Sequence, residues 1–168
     1  MKSLRVLILL LVFFFPSMVK KKAKVDNNVW GEVSDFDYWE FDSPDKIDSG
    51  KNMDADFIRR LQIVRDLYGK PIYINSGFRT HSHNQKLVKT HGASTNSSHK
   101  KGLAADLRCG DLKDMETLVF VLRQQGFKRI GQYYTEKGNY FVHVDVDDSK
   151  PYQSEWAKIK GVKSSLMV

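Results

Sequence analysis

The chain has 168 residues, 41% hydrophobic and 28% charged, with a formal net charge of +7. That length suits one domain able to bury a core. Residues 1–25 carry six basic residues and no acid, which leaves 21 of the 27 basic residues against 20 acidic ones in the rest. A nearly neutral body speaks against a phosphate-binding surface, and no nucleic-acid partner is expected.

At the N-terminus, Lys2 and Arg5 precede the apolar run Val6–Phe15, followed by Pro16 and Ser17. A charged start and a short apolar run form the pattern of a secretory signal. A membrane span needs about 20 apolar residues. A cleaved signal, a short retained anchor and a weakly exported leader all fit residues 1–25, and Lys20–Lys22 is an unusual continuation. Each implies an extracytoplasmic protein, touching a membrane only through this segment if it is uncleaved. Residues 26–168 are then the domain.

Asp26 to Lys51 shows no period, but its aromatic residues Trp30, Phe36, Tyr38, Trp39 and Phe41 are dense enough to be packed onto the domain. From Asp54, Phe57, Leu61, Val64 and Tyr68 recur at helical spacing, and Gly69 and Pro71 stop the helix. Ile72–Ile74 reads as a short strand, and His81–Thr90 as a short helix or turn. Ala104–Leu107 reads as another strand. Asp111 caps a helix with Leu112, Met115, Leu118, Val119 and Leu122 on one face, ended by Gly126. Arg129–Tyr134 and Tyr140–Val146 form a hairpin across 135–139. This order predicts a single α+β domain, with helices flanking a mainly antiparallel sheet.

The stretch Ser97-Ser98-His99-Lys100-Lys101-Gly102-Leu103-Ala104-Ala105-Asp106 places an imidazole and a carboxylate seven residues apart. A straight strand would send them to opposite faces, and Gly102 supplies the bend that lets them converge. Asp106 lies in an apolar run, where a carboxylate is costly unless paired. His143 repeats the pattern within Phe141–Val146. Two histidines and one aspartate suit a single zinc ion with one position left for water, the layout of a catalytic site. Asp145 shares the strand face of His143. It either orients His143 or acts on the water. Cys109, the only cysteine, allows no intrachain disulfide and reads as a small buried hydrophobe. His81 and His91 read as exposed.

Asn75-Ser76-Gly77-Phe78-Arg79-Thr80, His83-Asn84, the Ser97–Asp106 stretch and Phe141–Asp145, in that order, resemble the zinc D-alanyl-D-alanine carboxypeptidase family and related phage endolysin-like peptidases. The resemblance runs from about residue 54 to 146. It implies the Hedgehog/D-Ala-D-Ala peptidase-like fold and a secreted zinc metallopeptidase, a monomer acting on peptidoglycan stem peptides. It implies zinc held by His99, Asp106 and His143. Arg79 would hold the scissile carbonyl or a substrate carboxylate, Ser97 would help bind substrate, and His83 matches a position near the site. One departure stands out. Better-known members of the family carry an acid three residues before the final histidine as general base, and here that residue is Tyr140. Asp145 is the first substitute and Glu136 the second, and loss of catalysis is the third reading. The Hedgehog signalling domain, which the zinc arrangement also resembles, uses such a site for binding. A zinc-containing peptidoglycan-binding protein is therefore the alternative, and an envelope protein with vestigial ligands a further one. Exo- versus endopeptidase action stays open.

Overall fold

The computed structural model describes residues 29–134, 138–151 and 154–158. Segment 1–25 and Glu136 lie outside the described residues. Three 3-10 turns, Val29–Gly31, Tyr38–Phe41 and Ser49–Asn52, open the described residues. They are followed by helix α1 (Ala55–Tyr68), strand β1 (Tyr73–Ser76) and helix α2 (His81–His91). A fourth 3-10 turn (Ser98–Lys101) leads into β2 (Ala104–Cys109), α3 (Leu112–Gln124), β3 (Arg129–Tyr134), β4 (Tyr140–Asp145) and β5 (Ser154–Lys158).

The helices start and stop where side chains satisfy the free ends of the backbone. Asp54 accepts from Phe57 N at 2.9 Å at the start of α1, and Gly69 closes that helix at φ 72°. Asp111 accepts from Asp114 N at 2.8 Å to start α3, and Thr80 accepts from His83 N at 3.1 Å to start α2.

The sheet order is β1-β2-β4-β3-β5. The first four strands pair antiparallel, and β5 joins β3 in parallel. The expected α+β domain with a mainly antiparallel sheet is what forms, and β5 is an addition to it. Alternation along the strands gives the sheet two different faces. Ala105 and Leu107 of β2, Val142 and Val144 of β4 and Ile130 of β3 are fully buried on one face, where α3 packs on β2 and β4 and α1 packs on α3. Phe57, Ile58, Leu61 and Val64 of α1 and Met115, Leu118 and Leu122 of α3 complete that core. Burying a side chain of this size contributes about 1.5–3 kcal/mol. Trp30, Phe36 and Phe41 of the opening segment pack on the core, whereas Trp39 is exposed. Among the described residues no helix is long and apolar enough to cross a membrane.

The opposite face is left for polar side chains. Asp106 of β2 stands directly across from His143 of β4, and Asp145 of β4 directly across from Arg129 of β3. The pairing register, fixed by the apolar side chains of the other face, thus places two distant polar pairs next to each other.

Candidate metal centre and cleft

His99 comes from the 3-10 turn, whose C-cap Gly102 sits at φ 71°. A side chain there would be strained, and a Cβ would lie 2.1 Å from Asn52 O. The bend expected at Gly102 is present, and it turns the His99 ring over the β2–β4 pair. His99 Nε2 lies 3.3 Å from Asp106 Oδ1 and 3.2 Å from His143 Nδ1. His143 Nδ1 lies 2.8 Å from Asp106 Oδ1. Donors bound at about 2.0–2.1 Å to a tetrahedral ion lie about 3.3 Å apart. The three side chains are therefore a donor set already close to a metal's coordination edges, and these atoms all fall within 4.8 Å of one another.

Each donor is backed by a partner on its other side. His99 Nδ1 donates to Gly77 O at 2.7 Å, leaving Nε2 as a lone pair for the centre. His143 Nε2 donates to Asp145 Oδ2 at 3.1 Å, leaving Nδ1 for the centre. Asp106 Oδ2 accepts from Arg79 Nη2 at 2.5 Å, leaving Oδ1. Such partners set tautomer and orientation in metal sites. Burial holds the His99 pKa below its ordinary value despite the Asp106 carboxylate beside it, which favours the neutral, metal-binding ring. Burial acts the same way at His143, but hydrogen bonds to Asp106 and Asp145 outweigh it and push that ring up to about 9. Burial works against the Asp106 carboxylate too, yet the two imidazoles keep its pKa well below the usual range.

The remaining sequence candidates fall as follows. Arg79, expected to face substrate, spends Nε on Ser76 Oγ at 2.9 Å and Nη2 on Asp106. Its Nη1 has no partner among the described residues, and Arg79 is part of the cleft wall. Asp145 has both oxygens occupied: Oδ2 by His143, Oδ1 by Arg129 Nε at 2.8 Å and Asp147 N at 3.1 Å. Its side chain is 1% exposed and meets the imidazole on the edge away from the donor centre. That geometry belongs to an orienting carboxylate. Arg129 was not apparent from sequence, because only the register places it opposite Asp145. Tyr140 lies three residues from His143, so strand alternation turns it to the core face, where it packs beside Tyr134 at 4.7 Å.

The centre opens into a cleft of about 430 Å³. Tyr133 and Phe141, stacked at 4.6 Å, form part of its wall. Ser97, largely buried, lines it as well, and so does His91, which is exposed as expected. Buried Asn84 donates to Ser94 O at 3.0 Å and so pins the Gly92–Ser94 turn on the cleft rim. His83 is half-buried on α2 and does not line the cleft, and His81 is exposed. Cys109 is buried, its thiol pushed up to about 12 chiefly by that burial, and it faces away from the site.

Comparison with known proteins agrees with this arrangement. The family model of Peptidase M15 matches residues 40–145, a span containing every donor and backing residue named above. Among solved structures, the crystal structure of the Serratia marcescens L-Ala D-Glu endopeptidase ChiX aligns at 14% identity, covering 56% of this chain and 81% of that one, with a TM-score of 0.41. At that level the likeness carries no further argument. No curated protein matches the sequence.

Proposed function

The chain belongs to the peptidase M15 family, and on that premise we propose that it is a zinc-dependent peptidase cleaving peptidoglycan stem peptides outside the cytoplasm. The observation that carries this reading is the convergence of His99 Nε2, Asp106 Oδ1 and His143 Nδ1, each held from behind by Gly77, Arg79 or Asp145. These three residues would hold one zinc ion. Zinc there supplies Lewis acidity, polarising a carbonyl and lowering the pKa of a water to about 7.

The chain's own groups do the rest. Asp145, anchored by Arg129, fixes the His143 tautomer and orients its ring. Arg79 braces Asp106 and offers Nη1 to the oxygen on which charge develops, the task a preorganised donor serves. Ser97 offers a hydroxyl to the substrate backbone. Asp145 stays the first candidate for the proton-transfer step and Glu136 the second; that both Asp145 oxygens already accept hydrogen bonds supports a positioning role for it as well. The second reading, a zinc-containing protein that binds peptidoglycan without cutting it, draws on one observation: both carboxylates in the cleft, Asp106 and Asp145, already have partners.

Digestion of purified sacculi, with mass spectrometry of the released products, separates the two. The peptidase reading expects one zinc per chain, defined peptide or amino-acid products, loss of products on chelation and recovery with zinc. Zinc-loaded protein that binds sacculi and releases nothing refutes it and selects the binding reading.

A further inference from the structure

We propose that Lys150 reads a carboxylate of the substrate, so that the cleft selects peptides bearing a free carboxylate near the bond presented to the donor centre; this rests on the peptidase reading above. Arg79, Arg129 and Lys150 line the cleft. Arg79 is paired with Asp106, and Arg129 with Asp145. Lys150 has no carboxylate partner among the described residues. Its Nζ donates to Asn96 O at 2.6 Å, and an ammonium has three N–H donors, so two remain for a ligand.

Lys150 is also held in place. Its backbone N donates to Asp147 O at 3.0 Å, and Val146 N donates to Leu103 O at 3.0 Å. The Asp147 carboxylate accepts from Ser98 Oγ at 3.1 Å and from Lys101 Nζ at 3.0 Å. The loop after β4 is thereby tied to the turn that carries His99. The bond to Asn96 places the ammonium beside the residue preceding Ser97. Lys150 lines both the cleft and an adjoining pocket of about 370 Å³, where basic Arg60 and Lys128 face acidic Asp147 and Asp148, so it is the cleft itself that favours an anion. Both carboxylates of the cleft are consumed by their partners, and a bound dication adds positive charge. The complementary ligand is an anion. A compact ammonium binds one carboxylate oxygen and makes no bidentate demand. Stem peptides offer two such groups, the C-terminal carboxylate and the carboxylate of an acidic residue within the chain.

The test uses zinc-loaded full-length protein and three forms of a stem tripeptide: fully free acid, amidated at the glutamyl α-carboxylate, and amidated at the C-terminus. Calorimetric binding and turnover are both measured, for wild type and Lys150→Gln. A charge-assisted hydrogen bond at a cleft rim corresponds to roughly a tenfold preference. Wild type is expected to bind the free acid about tenfold more tightly than one of the two amides, and which amide is disfavoured names the carboxylate that is read. In Lys150→Gln the preference collapses, with the loss in KM rather than kcat. Equal binding of all three peptides by wild type overturns the proposal. So does a Lys150→Gln variant that keeps the preference, including one weakened equally toward all three peptides. Preferential binding without any cleavage supports the Lys150 assignment and removes the peptidase reading; cleavage without preference does the reverse.

Discussion

Gly102→Ala separates two costs that usually arrive together. Gly102 sits at φ 71°, and so does Gly69 at φ 72°. A Cβ at Gly69 meets nothing within 4 Å, whereas at Gly102 it would lie 2.1 Å from Asn52 O and 2.9 Å from Met53 Cα. Left-handed backbone costs a non-glycine residue about 1–2 kcal/mol, the whole expectation for Gly69→Ala. Gly102→Ala adds an overpacking cost of about 1–3 kcal/mol, because backbone must move. That brings it to about 2–5 kcal/mol of a total typically near 5–15, or a fall in Tm of roughly 10 °C. The strain also reaches the site. Gly102 N donates to His99 O at 3.2 Å, and Gly102 O accepts from Asp54 N at 2.9 Å, so relief of the clash displaces the turn carrying His99. Denaturant unfolding of both variants, with zinc affinity measured by chelator competition, reads the two effects. The expected result is a Gly69→Ala variant with native zinc affinity and a Gly102→Ala variant with weakened affinity and at least twice the stability loss. Equal losses in the two variants would refute the close-packing argument.

Asp145→Asn should weaken zinc affinity about 10- to 100-fold, the range for loss of a ligand's backing partner; abolished cleavage with native zinc affinity would leave Asp145 the general-base role alone. Tyr140→Glu, which restores the family's acid in sequence, should give no gain in turnover and should lower stability, because residue 140 packs on the core side; raised turnover on sacculi would contradict the strand alternation. Asp147 is opposed by burial, yet hydrogen bonds from Ser149, Lys101 and Ser98 hold its pKa down to about 2. A carboxylate depressed by folding stabilises the native state above its unfolded pKa, and that contribution fades as pH falls from about 4 toward 2. Unfolding followed across that window should show a shallower acid dependence in Asp147→Asn than in wild type, and identical profiles would count against it.

Much of this could be read from sequence because local rules governed it. The spacing of Phe57, Leu61 and Val64 and the cap at Asp54 gave α1; Asp111 and the apolar stripe after it gave α3. The donors were legible because glycine and an apolar run around two chemically expensive groups leave few explanations. Register was not legible. Arg129 opposite Asp145, and Asp106 opposite His143, depend on how β2 and β3 each align with β4, which no single segment encodes. The same gap hid the partner of Arg79, which turned out to brace a donor. β5, a parallel addition after Pro151, carries no pattern that names its neighbour. The segment before α1 folds as 3-10 turns around Phe36 and Phe41, where irregular contacts replace any period.

The pairing of Asp106 with His143 across two adjacent strands has a thermodynamic consequence. Two of the three donors meet through backbone hydrogen bonding of the sheet, and the third is locked by Gly77, so folding itself discharges the entropy of gathering them. On the zinc reading, metal uptake should order almost no chain and bury almost no apolar surface, so its heat capacity change is expected to stay close to zero. A zinc ion held there would join donors that the sheet already brings together, in contrast to small modules that fold only around zinc.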